Sequence, residues 1–224
     1  MTRAIYGSNA VENAGLNLSE TTKICTQIFS GREVTAKDIN PQSPEYIAQV
    51  KLLIKRGVEN PEFKDVVRAR REVIQHAKAI AMNFLFHELV TCEKFLSEEL
   101  FRATHKILCT GVPLENGDSD TNYAGVYRNT TVAAGSTIFT APANVPTEMA
   151  KLVSGFNDDM RAIAQGKQID PCYLAADICQ DFVMVHPFND GNGRMCTMVA
   201  NALLFRYGGW VVVIGEGGGI GGSI

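Results

Sequence analysis

No two of the six cysteines stand at C-x-x-C spacing; they are scattered at positions 25, 92, 109, 172, 179 and 196. A disulfide framework belongs mainly to short secreted chains, so these residues read as reduced packing thiols, several of them on what look like buried helix faces. The histidines do not cluster at metal-ligand spacing either. His76, His87 and His105 occur singly within helical patterns and read as structural residues. No apolar run approaches the roughly 20 residues that span a bilayer, and Met1 to Asn17 carries no apolar segment of the signal-peptide kind. Positive charge is not in excess: 21 Lys and Arg stand against 24 Asp and Glu, for a net charge of −3. Such a balance supplies no field that gathers phosphate backbones or anionic lipid. Nucleic acid and membranes are therefore not expected as partners, and the chain reads as a soluble, cytoplasmic protein. Internal repeats are absent.

What is present is enough apolar material for one core: 46 % hydrophobic residues in 224, near the upper length for a single domain. The fold class expected is all-α. Ser19 is the N-cap candidate for a helix near 19–30, and Ser43-Pro44 opens another that ends at Gly57. Apolar residues spaced along one stripe from Phe63 to Leu85 predict one long helix from about 61 to 90. Arg68, Arg70 and Arg71 within it read as a solvated basic face. Further helices are expected over 97–109, 146–164, 171–185 and 193–207. Residues 121–142 break the period, because Val126, Tyr127, Thr130, Thr131, Val132, Thr137, Ile138 and Phe139 are β-formers around Ala134-Gly135-Ser136. A β-hairpin laid on the helices, or completed by another strand, is the simplest account.

Between two of these helices stands His186-Pro187-Phe188-Asn189-Asp190-Gly191-Asn192-Gly193-Arg194. Gly191 and Gly193 permit a turn closed to other residues, leading into a helix whose free N–H groups and positive dipole end attract anions. Phosphates suit that place. Asp190 supplies a hard oxygen for Mg²⁺, which on phosphates needs only one or two protein carboxylates. Arg194 offers a fixed cation and Asn192 an amide donor. His186 is the group that can be neutral and basic near pH 7, hence the natural acceptor of a hydroxyl proton. Phe188 is expected to anchor the loop in the core.

This loop resembles the signature of Fic domains, H-P-F-x-[DE]-G-N-x-R-x-x-R, at every defined position but the last. Gly125-Val126-Tyr127-Arg128 is similar to the start of that family's flap, and the helices from about 61 to 210 to its core. The resemblance implies the Fic fold, a helical bundle with the hairpin as a flap over the active site. It also implies a nucleotidyltransferase that moves AMP from ATP, with Mg²⁺, to a Ser, Thr or Tyr hydroxyl of a target protein. His186 is then the catalytic base, Asp190 the metal ligand, and Gly191, Asn192, Gly193 and Arg194 the phosphate cradle. Thr130, Thr131 and Val132 are the expected target-docking edge. Near the start of the chain, Ser8-Asn9-Ala10-Val11-Glu12-Asn13 resembles the family's inhibitory helix, with Ser8 and Glu12 at its defined positions. Glu12 is expected to enter the nucleotide site and hold the protein at rest. The organisation read from this is an N-terminal segment over 1–40, the core over 41–214 and a Gly-rich tail over 215–224. A homodimer is left open.

Two departures stand out. Thr197 occupies the last signature position, where arginine is the rule, and it cannot make a charge-assisted contact. The loss, about 1.5–3 kcal/mol if buried, lowers nucleotide affinity by one or two decades and removes the partner expected for Glu12. The tail from Gly215 has no helical pattern, which leaves the base pocket open or completed from outside this chain. The leading reading is an adenylyltransferase autoinhibited in cis by Glu12, with removal of AMP as a second activity of the same site. The alternatives are a degenerate Fic protein that binds nucleotide or partner with little transfer, and transfer of another phosphate-linked group such as UMP or phosphocholine.

Overall fold

The computed structural model describes residues 1–81, 85–91, 95–114, 117 and 119–215. Among these residues are ten α-helices: α1 (Thr2–Val11), α2 (Leu18–Phe29), α3 (Pro44–Lys55), α4 (Phe63–Ala81), α5 (Leu85–Thr91), α6 (Glu98–Cys109), α7 (Asp120–Tyr123), α8 (Val145–Ala164), α9 (Pro171–Val185) and α10 (Asn192–Gly208). A two-stranded antiparallel hairpin, β1 (Ala133–Ala134) and β2 (Thr137–Ile138), sits between α7 and α8, with Ala133 opposite Ile138. Among the described residues, α10 packs most extensively on α9 and α5, and α4 on α6 and α2. Val73, Ala77, Leu85, Phe101, Leu108, Met195 and Leu203 are buried where these helices meet. No helix there is long and apolar enough to cross a membrane.

Caps decide where several helices begin. Ser43 accepts from Tyr46 N–H ahead of Pro44, Ser97 from Leu100 N–H, and Asp170 from Cys172 N–H ahead of Pro171, each satisfying a donor that the first turn leaves free. At α2 the expected Ser19 cap is corrected: Asn17 takes the position and accepts from Glu20 N–H. Of the single helix expected over 61–90, α4 and α5 are the helical parts among the described residues, and residues 82–84 lie outside them. Cys25 and Cys109 are free thiols in the core and Cys172 is exposed; Cys92 lies outside the described residues.

The hairpin is much shorter than the 121–142 expected, and α7 takes its start. Thr130, Thr131 and Val132 precede β1 and belong to no strand. The reason is competition for their backbone. Arg128 Nη1 donates to Thr130 O at 2.7 Å, Arg128 N–H to Pro187 O at 2.9 Å and Thr140 N–H to Met184 O at 3.2 Å. The flanks of the hairpin are thus tied to the end of α9 and its loop rather than paired as strands.

Beyond α10, residues 210–215 cross α1. Val212 N–H donates to Asn201 Oδ1 at 2.8 Å, and the crossing brings Ile214 O so near Gly7 that a Cβ at position 7 would overlap it. Trp210 to Ile214 form no strand pairing among the described residues. The tail from residue 216, on which the expectation of an open base pocket rests, lies outside them.

Candidate active site

His186 closes α9 in the left-handed region, at φ 48° and ψ 61°. A non-glycine residue there costs about 1–2 kcal/mol. Bonds on both sides hold it: its N–H donates to Phe182 O at 2.9 Å, and Arg128 Nε donates to its carbonyl at 2.6 Å. Pro187 follows and cannot continue the helix. The imidazole stacks on Phe139 with ring centres 4.1 Å apart. Its Nδ1 is buried without a hydrogen bond. Burial and the neighbouring Arg128 charge lower its pKa, the Val183 carbonyl pulling weakly the other way, so the ring is neutral at pH 7.

The turn that follows is locked from within. Phe188 is fully buried and stacks on His105 at 3.7 Å. Asn192 Nδ2 donates to Phe188 O at 2.8 Å and Phe188 N–H returns a bond to Asn192 Oδ1 at 3.1 Å. The amide expected to serve phosphate is therefore engaged in holding the loop, and Asn192 keeps its backbone N–H for an anion. His105 supports the turn from α6: Gly125 N–H donates to its Nδ1 at 2.8 Å, which puts the ring proton on Nε2, and Nε2 donates to Asp190 O at 2.9 Å. Gly191, with φ 75°, opens α10 against Leu108, Cys109 and His105.

A carboxylate already sits at this helix start. Glu12, just past the end of α1, accepts from Arg194 N–H at 3.2 Å and from Arg194 Nε at 2.7 Å. A Cβ on Gly193 would overlap Glu12 Oε1, so glycine is what lets the acid approach. Glu12 thus has a partner, contrary to the expectation drawn from Thr197: the guanidinium of Arg194 takes the pairing role. Arg194 Nη2 also donates to Asp190 Oδ1 at 3.0 Å. Burial raises the Glu12 pKa despite Arg194. At Asp190 burial also pushes upward, but Arg194 and the Gly191 N–H outweigh it and the net shift is down. Desolvation works against the Arg194 charge, and the two acids overcome it, keeping that side chain, only 2 % exposed, firmly protonated. Ser8 is buried on α1 with its hydroxyl unpartnered, as is Arg194 Nη1.

A cavity of about 520 Å³ opens beside this cluster, bordered by Glu12, Asn189, Asp190 and Arg194 on one side and Arg56, Arg68 and Glu72 on the other. That is the size of a small-molecule site. His186 is not on its wall. Asp190 Oδ1 is taken by Gly191 N–H at 2.6 Å and by Arg194, while Oδ2 carries no hydrogen bond among the described residues. One free carboxylate oxygen at the edge of an anion-sized cavity fits a hard cation that arrives with phosphate. Thr197 lies elsewhere, bordering a small space with Met1, Ile5 and His76.

The basic cluster on α4 is not the solvated face expected. Arg70 is buried and donates to Ala36 O and Asp38 O, Arg71 to Gly111 O, and Arg68 Nε to Glu72 Oε1 at 3.3 Å. Two residues support the loop in ways the sequence reading did not specify: Arg128, read only as part of the flap, and His105, read only as structural. Their partners lie 58 and 85 positions away, and nothing in local spacing marks them.

The sequence profile of the Fic/DOC family matches residues 95–204. A Fido domain-containing protein of Dictyostelium discoideum is 40 % identical over 84 residues, 38 % of this chain and 56 % of that protein. The protein adenylyltransferase fic-1 of Caenorhabditis briggsae is 27 % identical over 164 residues, covering 72 % of this chain and 29 % of its own. A protein adenylyltransferase Fic of Nematostella vectensis is 26 % identical over 94 % of this chain and 39 % of its own. The chain thus spans about half or less of these relatives. A Fic domain containing signaling protein from Bacteroides thetaiotaomicron superposes with a TM-score of 0.60 at 21 % identity, over 92 % of this chain and 63 % of that one. Fic-1 of C. elegans (residues 134–508) gives 0.60 at 23 %, over 92 % and 48 %.

Proposed function

Because this chain is a Fic domain protein, with residues 95–204 matching the Fic/DOC family, we propose that it is a protein adenylyltransferase held at rest by its own Glu12. The observation that carries this reading is the Glu12 carboxylate on the Arg194 N–H and guanidinium. A helix start that binds an internal acid supports an anion site there, and the acid occupies a place that suits a phosphate.

With Glu12 displaced, the free N–H groups of Asn192 and Gly193 and the side chain of Arg194 would bind phosphate oxygens of ATP. Asp190 Oδ2 would hold a Mg²⁺ ion, which supplies charge neutralisation on the phosphates. A target Ser, Thr or Tyr hydroxyl loses its proton to His186 Nε2, the ring nitrogen not buried against α9. Its oxygen forms a bond to the α-phosphorus as the bond from that phosphorus to the bridging oxygen breaks. AMP stays on the target and pyrophosphate leaves with the electron pair. The stretch 130–132, just before β1, is the part of the flap proposed to hold the target. Removal of AMP by water at the same site belongs to this reading, and UMP or phosphocholine transfer to a variant of it.

A second reading, nucleotide binding with little transfer, is favoured by one observation: His186 lies under Phe139 and off the cavity wall. One assay separates the two. The chain, Glu12→Gly and Glu12→Gly/His186→Ala are incubated with labelled ATP, Mg²⁺ and cell extract. Label on protein is expected to rise at least tenfold with Glu12→Gly, since a charge-assisted contact is worth about 1.5–3 kcal/mol, and to vanish with His186→Ala. Tight ATP binding with no label in any version supports the second reading, and neither binding nor label overturns both.

A further inference from the structure

The charges that border the cavity are unevenly spent. On the loop side Arg194 has given Nε to Glu12 and Nη2 to Asp190. Across from it, Arg56 gives Nη1 to Gly15 O at 2.8 Å. Arg68 differs. Its Nε is held by Glu72, an acid buried in α4 whose other oxygen accepts from Gly15 N–H at 2.7 Å. Both of its Nη atoms are without hydrogen bonds among the described residues, on a side chain that borders the cavity and is near enough to lower the Asp190 pKa. An arginine fixed through Nε with its two terminal nitrogens unspent is preorganised to grip an oxyanion in bidentate fashion.

A chain of phosphates seated by one end on the α10 start carries charge into this cavity, and something must meet it. Position 197 offers no cation and borders a different space. We propose that Arg68, from α4, is the residue that binds the terminal phosphate of the nucleotide, so that this chain reads phosphate number from the α4 wall. The assignment rests on the nucleotide reading above and adds to it a residue that determines specificity for a triphosphate. Glu72 is the positioning residue behind it.

The test uses the full chain carrying Glu12→Gly, with Mg²⁺, titrated calorimetrically with ATP and with AMP. Arg68→Ala is expected to weaken ATP binding about tenfold to a hundredfold and to leave AMP binding within about twofold. Arg68→Lys, which keeps the charge, is expected to recover part of the ATP affinity, and it replaces the alanine variant should that one melt early. Equal losses for ATP and AMP, or no loss for either, overturn the assignment while the nucleotide reading stands. No ATP binding by the Glu12→Gly parent overturns the reading itself and the assignment with it.

Discussion

A single side chain, Arg128, closes the flap onto the loop. It is 2 % exposed and donates to the carbonyls of Thr130, Thr140, Val185 and His186. These acceptors come from both flanks of the hairpin and from the end of α9, and burial leaves the Val185 carbonyl little access to water once the guanidinium is gone. Arg128→Ala should destabilise the fold by about 2–4 kcal/mol, measured by urea unfolding, and should open residues 126–141 to protease before the rest of the chain. A variant with unchanged midpoint and unchanged cleavage would mean that the four contacts contribute nothing net. The same residue bears on the strain at His186, whose left-handed backbone is held partly by that guanidinium.

At the scale of elements, α1 lies between α10 and the segment that follows it. Gly7 exists in contact with Ile214 O, and Gly215 approaches Gly7 O and Val11. A methyl group at position 7 has no room, and overpacking of this kind costs about 1–3 kcal/mol. Gly7→Ala is therefore expected to loosen α1, seen as faster amide exchange over residues 2–12, and to raise labelling from ATP without any change at Glu12. Exchange that stays as slow as in the parent would show that the crossing does not clamp the helix. Elements of this kind were only partly legible in the sequence. The helix starts near Ser43, Ser97 and Pro171 were readable because a cap and the N–H that donates to it are two or three residues apart. The Gly-rich turn before α10 was readable for the same local reason. The hairpin was overdrawn because β-propensity counts side chains, whereas Arg128 takes the carbonyls of Thr130 and Thr140 on its flanks. The Glu12–Arg194 pair was misassigned because position 197 was judged from a pattern, while the contact depends on where α1 meets α10, 182 residues along the chain.

Over the whole molecule, two buried imidazoles set a dependence on pH. Burial pushes the His76 pKa down to about 3 and that of His105 to about 4, with the Arg194 charge adding to both and the Asp190 carbonyl opposing at His105. Below an ordinary value near 6.5 the unfolded chain takes up protons that the folded chain refuses. The stability from these two groups is complete above that pH and is lost as pH falls toward their folded values, at about 1.4 kcal/mol per pH unit for each. Glu12, with its raised pKa, works weakly in the opposite sense. From pH 7 to pH 5 the loss should reach about 3–4 kcal/mol, a fall in Tm of roughly 10 °C, and His76→Gln should flatten the profile by about half. Scanning calorimetry at the two pH values decides it, a flat profile counting against both burial arguments.

The acid on the helix start comes from position 12 and its arginine from position 194. Translation delivers them in that order, so the carboxylate already exists when the helix start that holds it is made. Under the role proposed for Glu12, a newly synthesised molecule has no interval in which the anion site exists and its tethered occupant does not.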